Sequence, residues 1–200
     1  MKRKDLEMRL QQVNGFERPK AELEQYMTPA NIAADLLFLA YSCGDIDGRA
    51  VLDLGCGTGM LGIGAALLGA SSVIGVDKDA GALAVARRNA VQAEVSLELI
   101  EEEISSVRFQ ADTVVMNPPF GAQNRHADRP FLETAMRCAP VIYSLHLTET
   151  LGFLARYGGQ QGFSIDLQKS FKFDIPHTFA FHRKVKKSFD VSLIRFCKTG

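Results

Sequence analysis

The 200-residue chain contains no tryptophan, only 7 prolines, 4 cysteines and 4 histidines. Cys43, Cys56, Cys138 and Cys197 stand far apart with no C-x-x-C pair, which argues against a disulfide framework and against a cysteine-based zinc site. An excess of charge of one sign is also missing. The 23 basic and 23 acidic residues cancel, so the chain lacks the broad positive field of a nonspecific nucleic-acid binder, and any RNA contact must be local. Long apolar runs are absent: the longest, Ile32 to Cys43, is interrupted by Asp35 and is too short to span a bilayer. The opening Met1-Lys2-Arg3-Lys4-Asp5-Leu6-Glu7 leads into a charged helix rather than an apolar signal core, so the cytoplasm is the expected location, without membrane contact. What remains is ordinary for a globular protein, 46% hydrophobic and 23% charged, which excludes wholesale disorder and a coiled-coil rod. The length suits one domain, an N-terminal helical extension over 1–45 followed by a core over 46–200.

Strand and helix signals alternate through that core. Helical stretches are predicted over Lys4 to Val13 and Pro19 to Gln25, then from Thr28-Pro29, with threonine as N-cap, through Ile32 to Cys43. Ala50 to Leu54 reads as a strand, Met60 to Leu68 as a small-residue helix, and Ser72 to Val76 as the next strand. Asp79 should cap a helix running to about Gln92. Val95 to Ile100, Asp112 to Met116 and Val141 to Leu145 follow as strands, with a helix over Pro130 to Cys138 before the last. A helix from Thr148 to about Tyr157 precedes two longer strands, Phe163 to Phe173 and Ser188 to Phe196. The expected fold is α/β and Rossmann-like: seven strands, mostly parallel, with an antiparallel pair closing one edge.

Charge is placed unevenly along this pattern. Six carboxylates lie between Glu94 and Asp112 against Arg108 alone, whereas Gln168 to Lys198 carries eight basic residues, four of them in the loop Arg183 to Lys187. That segment also holds Phe171, Phe173, Phe179, Phe181, Phe189 and Phe196. Two readings fit it. Edge strands would turn phenylalanines inward and lysines outward, and basic groups interleaved with rings also suit RNA, where cations hold phosphates and rings stack on bases.

Asp53-Leu54-Gly55-Cys56-Gly57-Thr58-Gly59 follows the first core strand directly and opens a helix. Such glycines let the backbone turn sharply and approach a ligand closely. A dinucleotide fingerprint would need a glycine at position 60, which is Met60, so the spacing favours a different nucleoside. Asp77, at the end of the second strand, can accept hydrogen bonds from both ribose hydroxyls. Glu103, past the third strand, can accept from an adenine amine. Asp53 biases the loop toward a cationic amino-acid tail instead of a pyrophosphate. These residues together imply S-adenosyl-L-methionine rather than a nicotinamide.

Asn117-Pro118-Pro119-Phe120 follows the fourth strand, at the carboxyl edge where open α/β sheets place their chemistry. An amine conjugated to a planar base or amide has a delocalised lone pair and attacks a sulfonium methyl poorly. The Asn117 side-chain oxygen and the Pro118 carbonyl can each accept one amine hydrogen, drawing nitrogen toward tetrahedral geometry. Pro118 and Pro119 stiffen the loop, and Phe120 can stack on a flat acceptor. His126, His146, His177 and His182 fall in no metal or triad spacing, and no metal is expected.

With these residues in view, the chain resembles the methyltransferase-like-five family, small Rossmann-like class I methyltransferases that modify N6 of an adenosine in small-subunit ribosomal RNA. The resemblance covers almost the whole chain. It includes Leu10 to Glu17, Leu23 to Thr28, the glycine loop, Asn117 to Gly121, Tyr143 to His146 and Val191 to Phe196. It implies that Gln25 and Thr28 close over the cofactor, with Gly55, Thr58, Met60, Asp77, Glu103 and Ile104 lining the rest of its pocket. Glu103 stands where relatives commonly carry aspartate. The resemblance further implies an RNA or ribosomal-particle substrate, and a small zinc-binding activator protein of the kind eukaryotic relatives use. Two alternatives remain. A protein glutamine-N5 methyltransferase faces the same amide chemistry, but usually has tyrosine in place of Phe120 and a longer helical domain ahead of the first strand. A catalytically silent RNA-binding subunit would have no physical need for the Asn117 motif.

Overall fold

Seven strands make one sheet in the computed structural model, which describes residues 1–121, 127–175 and 187–200. They are β1 (Ala50–Leu54), β2 (Ser72–Asp77), β3 (Glu98–Glu101), β4 (Thr113–Met116), β5 (Val141–Leu147), β6 (Phe163–Ile175) and β7 (Lys187–Lys198), in the order β3-β2-β1-β4-β5-β7-β6. The first five pair in parallel, and β7 runs antiparallel to both β5 and β6. The expected seven-stranded sheet with an antiparallel edge pair is therefore present. β7 lies inside, and β6 is outermost.

Both faces of the sheet are covered. On β1, β4 and β7 successive side chains alternate between two apolar clusters, as the two-residue strand period requires. Val51, Val115, Val191 and Leu193 face helices α1 (Arg3–Leu10), α2 (Ala30–Ser42) and α3 (Met60–Leu67). Leu52, Val114, Ile194 and Phe196 face α5 (Arg129–Cys138) and α6 (Leu151–Gln160). Between α3 and α5 in the chain lies α4 (Ala80–Gln92), capped as predicted by Asp79, whose carboxylate accepts the Gly81 N–H at 3.0 Å. Among the described residues no helix is long and apolar enough to cross a membrane.

Helices α2 and α3 meet through glycine. A Cβ on Gly64 would sit 2.3 Å from Leu37 Cδ1 and 3.4 Å from Leu10 Cδ2. Gly64→Ala is therefore expected to lower stability by about 1–3 kcal/mol through overpacking, although alanine is the better helix former. An unchanged urea midpoint would refute the close approach of the two helices.

Three local expectations are corrected. Pro19 to Gln25 is not an α-helix: one 3-10 turn spans Ala21–Leu23, and Glu24 takes a left-handed conformation at φ 49°. The Gln25 side chain folds back on the start of the turn, accepting the Lys20 N–H at 2.8 Å while donating to Asp79, a contact 54 residues away. Thr28 is not the N-cap of α2. Pro29 occupies that position, its carbonyl accepting the Ile32 and Ala33 amides at 2.9 Å, and the Thr28 hydroxyl turns elsewhere. Finally, β3 starts at Glu98 rather than Val95, because Glu94 turns left-handed at φ 58° and only Glu98 to Glu101 pair with β2.

The last two strands outrun the sheet. Pairing of β7 with β5 stops at Leu147 and Val191, whereas β6 and β7 stay paired as far as Ile175 and Lys187. The arm so formed projects past the carboxyl end of β5 with Phe173 and Phe189 paired on it, and Phe171 stands at its base opposite Val191. Phe173 is fully buried, and Lys169 and Lys172 are exposed. Of the basic loop Arg183 to Lys187, residues 183–186 lie outside the described residues, as do Phe179, Phe181, His126, His177 and His182.

Candidate active site

The loop after β1 carries three glycines in the left-handed region, Gly55 (φ 70°), Gly57 (φ 53°) and Gly59 (φ 89°), the last opening α3. It is bolted to the end of β2. Gly55 and Cys56 donate their amides to the Val76 carbonyl at 2.8 and 3.0 Å, and Gly57 donates to the Asp77 carboxylate at 2.8 Å. Asp77 also accepts the Asp79 amide at 3.0 Å. Asp53, almost wholly buried under the loop, accepts the Gly62 amide at 2.7 Å.

Residues 14–28 lie across this loop as a strap held at three points. Asn89 on α4 accepts the Asn14 amide at 3.0 Å and donates to the carbonyls of Asn14 and Thr58. Gln25 Nε2 donates to Asp79 at 2.7 Å, and Lys20 Nζ lies 3.0 Å from the same carboxylate. At the third point, Asn117 Nδ2 donates to Thr28 Oγ1 at 2.9 Å.

Beneath the strap is a cavity of about 320 Å³, joined by shared walls to a smaller one of about 40 Å³. A volume near 300 Å³ or more is typical of small-molecule sites. Gln25, Gly55, Asp77, Glu103, Ile104, Asn117 and Pro119 line the larger. Thr28, Asp53, Thr58 and Met60 line the smaller, again with Gly55 and Asn117. The fold thus gathers nearly all of the sequence-predicted residues around one space. Pro118 and Phe120 are not among the residues lining either cavity. Pro118 is buried, and Phe120 joins an aromatic cluster with Tyr26 (5.4 Å), Phe173 (5.7 Å) and Phe189 (6.4 Å). Glu103 lines the cavity but is largely exposed, its carboxylate 3.5 Å from Lys78 Nζ.

Burial shapes the charges. It pushes the Asp53 carboxyl up to about 7, with the nearby Asp77 charge adding to the rise, and it raises the Asp77 carboxyl as well, helped by the charge of Asp79. Burial would raise Asp79 too, but the hydrogen bonds from Gln25, Lys20 and Gly81 outweigh it and hold that carboxyl below its ordinary value. At the centre of the site is an unmet need: Asn117 Oδ1 is buried and has no hydrogen-bond partner among the described residues.

Several wall residues escape a reading of the sequence. Phe16 sits against Gly57, where an added Cβ would come within 2.9 Å of its ring, and Phe131 sits likewise at 2.7 Å from Gly55. Tyr26 lines both cavities, and its hydroxyl is raised well above the usual tyrosine range by burial. A lone aromatic in a charged stretch, as at Phe16 and Tyr26, was the available signal. His146 has neighbours that sequence spacing conceals: Nε2 is 2.8 Å from Ser144 Oγ and Nδ1 is 3.6 Å from Asp128. Ser144 is fully buried, so this chain ties β5 to the start of α5 and presents no accessible nucleophile. Among the described residues no cluster of His, Cys, Asp and Glu could hold a metal.

Residues 32–139 match the family model of the methyltransferase small domain, so the class that fold and site define is a methyltransferase. The rRNA N(6)-adenosine-methyltransferase METTL5 of Danio rerio is 39% identical over the full length of both chains. Mettl5 of Drosophila melanogaster, of the same description, is 38% identical, with 98% of this chain and 96% of that one covered. The crystal structure of a candidate RNA methyltransferase from Pyrococcus horikoshii is 42% identical and superposes with a TM-score of 0.94, covering 100% of this chain and 99% of that one. This chain belongs to the METTL5 family.

Proposed function

We propose that the protein transfers a methyl group from S-adenosyl-L-methionine to N6 of an adenosine in ribosomal RNA, in the cytoplasm. The observation that carries the reading is the buried, unpartnered Asn117 Oδ1 in the wall of the strapped cavity. An orphan buried acceptor costs about 1–3 kcal/mol, and a ligand that donates to it removes that cost. The names of the METTL5 relatives supply the acceptor class.

The residues present fit the cofactor. Gly55 and Gly57 line the cavity together with the Phe131 and Phe16 rings that close against them, and a side chain at either glycine would collide with those walls. When bound, S-adenosyl-L-methionine supplies an electrophilic methyl on a positively charged sulfur. Asp53 would favour its cationic amino-acid end, Asp77 would accept from ribose hydroxyls, and Glu103 and Ile104 would border the adenine. Asn117 Oδ1 and the Pro118 carbonyl would each accept a hydrogen from the acceptor amine, favouring the positive charge that builds on nitrogen during transfer. The strap and the aromatic cluster around Phe120 exclude water from that point. The acceptor adenosine must leave its stack to arrive there, at a cost of roughly a few kcal/mol.

The test is to incubate the protein alone with labelled S-adenosyl-L-methionine and ribosomal RNA from cells lacking it, then digest to nucleosides. Label in N6-methyladenosine is expected. Label in protein would favour a glutamine-amide acceptor instead. Binding without any transfer would favour a silent subunit, unless adding a small zinc-binding activator or presenting the RNA as a ribosomal particle restores transfer.

Asp53 makes a pH prediction. Its raised folded value means the stability it contributes without ligand is complete below the unfolded carboxyl value of about 4 and is lost as pH rises to about 7. A cationic ligand favours the ionised form, so cofactor affinity should strengthen as pH rises from about 5.5 to about 7, by at most about tenfold per unit. Calorimetry should show proton release on binding in this window, and Asp53→Asn should abolish it. A flat profile in the unmodified protein would remove Asp53 from the site.

A further inference from the structure

Tyr26 Oη and Asn117 Oδ1 share an unusual condition: each is buried and has no hydrogen-bond partner among the described residues. Both residues line both cavities. We infer that Tyr26 is a second acceptor-binding residue, its hydroxyl meeting the ring nitrogen that stands beside the amine held by Asn117. The inference rests on the reading of Asn117 above.

The hydroxyl lies at the Asn-Pro-Pro-Phe loop. Its ring packs 5.4 Å from that of Phe120, and Phe173 meets it edge-on at 5.6 Å. Burial and the Glu24 charge raise its pKa while the Phe120 backbone works the other way, which places the oxygen beside that loop. Packing gives no reason for the oxygen. A phenylalanine would fill the same place among the rings and leave no polar atom unmet.

The chemistry of the acceptor supplies a reason. In adenine the N6 amine is flanked by N1 and N7, ring nitrogens that only accept hydrogen bonds. An amine beside such a nitrogen presents donor and acceptor side by side, the complement of an amide oxygen and a hydroxyl. A tyrosine hydroxyl rotates its hydrogen to suit what it meets, so the ligand sets the direction of this bond. Both protein atoms are closed to solvent in the structure, and an acceptor reaches them by shifting the side chains that cover them. Around Tyr26 those include Phe120 and Phe173, and rings part without breaking a hydrogen bond.

The test removes each side of the proposed bond. Tyr26→Phe is compared with the parent on three RNA oligonucleotides spanning the nucleotide that the protein labels, carrying adenosine, 1-deazaadenosine or 7-deazaadenosine at that position. With saturating S-adenosyl-L-methionine, Tyr26→Phe should lower kcat/KM on the adenosine oligonucleotide by roughly tenfold, as loss of one hydrogen bond predicts. On one of the two deaza oligonucleotides, the one lacking the bonded nitrogen, parent and variant should have equal kcat/KM. The cofactor Kd should stay at the parent value, and the thermal midpoint should hold or rise as the unmet hydroxyl is removed. The same loss on all three oligonucleotides would overturn the inference. So would a weaker cofactor Kd with kcat/KM unchanged at saturation, which would make Tyr26 a cofactor contact. A fall in midpoint would give the hydroxyl a structural partner and also overturn it. If Asn117→Ala transfers methyl groups at the parent rate, the reading of the site fails first, and the two failures are distinguishable.

Discussion

Asn117→Ala is expected to lower the rate of methyl transfer by about 10²- to 10³-fold, the range seen when one preorganised electrostatic group is removed from an active site. The effect should fall on kcat. The cavity walls that would hold the cofactor are set mainly by the glycine loop, Asp77 and the strap, so calorimetry should find binding largely retained. Stability gives an independent check. Asn117 Oδ1 is a buried acceptor without a partner, and alanine removes that cost of about 1–3 kcal/mol while giving up the bond to Thr28, so the thermal midpoint should not drop appreciably. A large fall in midpoint would mean that the residue holds the fold rather than the reaction. Loss of cofactor binding with transfer retained would overturn its assigned role.

Gly55→Val is the second large effect expected, and it acts on binding. At φ 70° a β-branched residue is strained, and the new Cβ would lie 2.7 Å from the Phe131 ring in the cavity wall. Backbone strain and overpacking together should cost about 2–5 kcal/mol in the native state. The loop relieves that strain only by pulling away from the Val76 carbonyl, which its amide meets at 2.8 Å, and moving the loop reshapes the cavity floor. Cofactor affinity should fall roughly 100-fold or more, the equivalent of about 3 kcal/mol, together with the urea midpoint. Binding at the parent affinity would show that no ligand lies against this turn.

The parts of the fold and site that could be read in advance share one property. β1 begins and ends where its apolar run does, and Asp79 caps α4 because the side chain reaches an amide two residues on. The glycine loop required positive φ, and all three of its glycines have it. Asn117 follows β4 directly, so its place at the carboxyl edge came from strand order alone. Phe120 and Glu103 show the limit. Each stands at the expected chain position, yet one ring turns to Tyr26 and Phe173 and the other carboxylate lies toward Lys78. Side-chain direction at a loop depends on neighbours the local sequence does not contain.

By itself the sequence determined the alternation of strands and helices, the sheet covered on both faces, the glycine turn and the Asn-Pro-Pro-Phe loop. In each case the cause lies within a few residues: hydrophobic period, cap geometry, or a backbone angle that few residues tolerate. Only the tertiary structure decided that Pro19 to Gln25 becomes a strap, that Thr28 serves Asn117 instead of α2, and that the β6–β7 arm brings Phe173 against Tyr26. Those outcomes rest on contacts between segments tens to more than a hundred residues apart, where a buried polar atom takes the partner that folding delivers and local propensity is overruled.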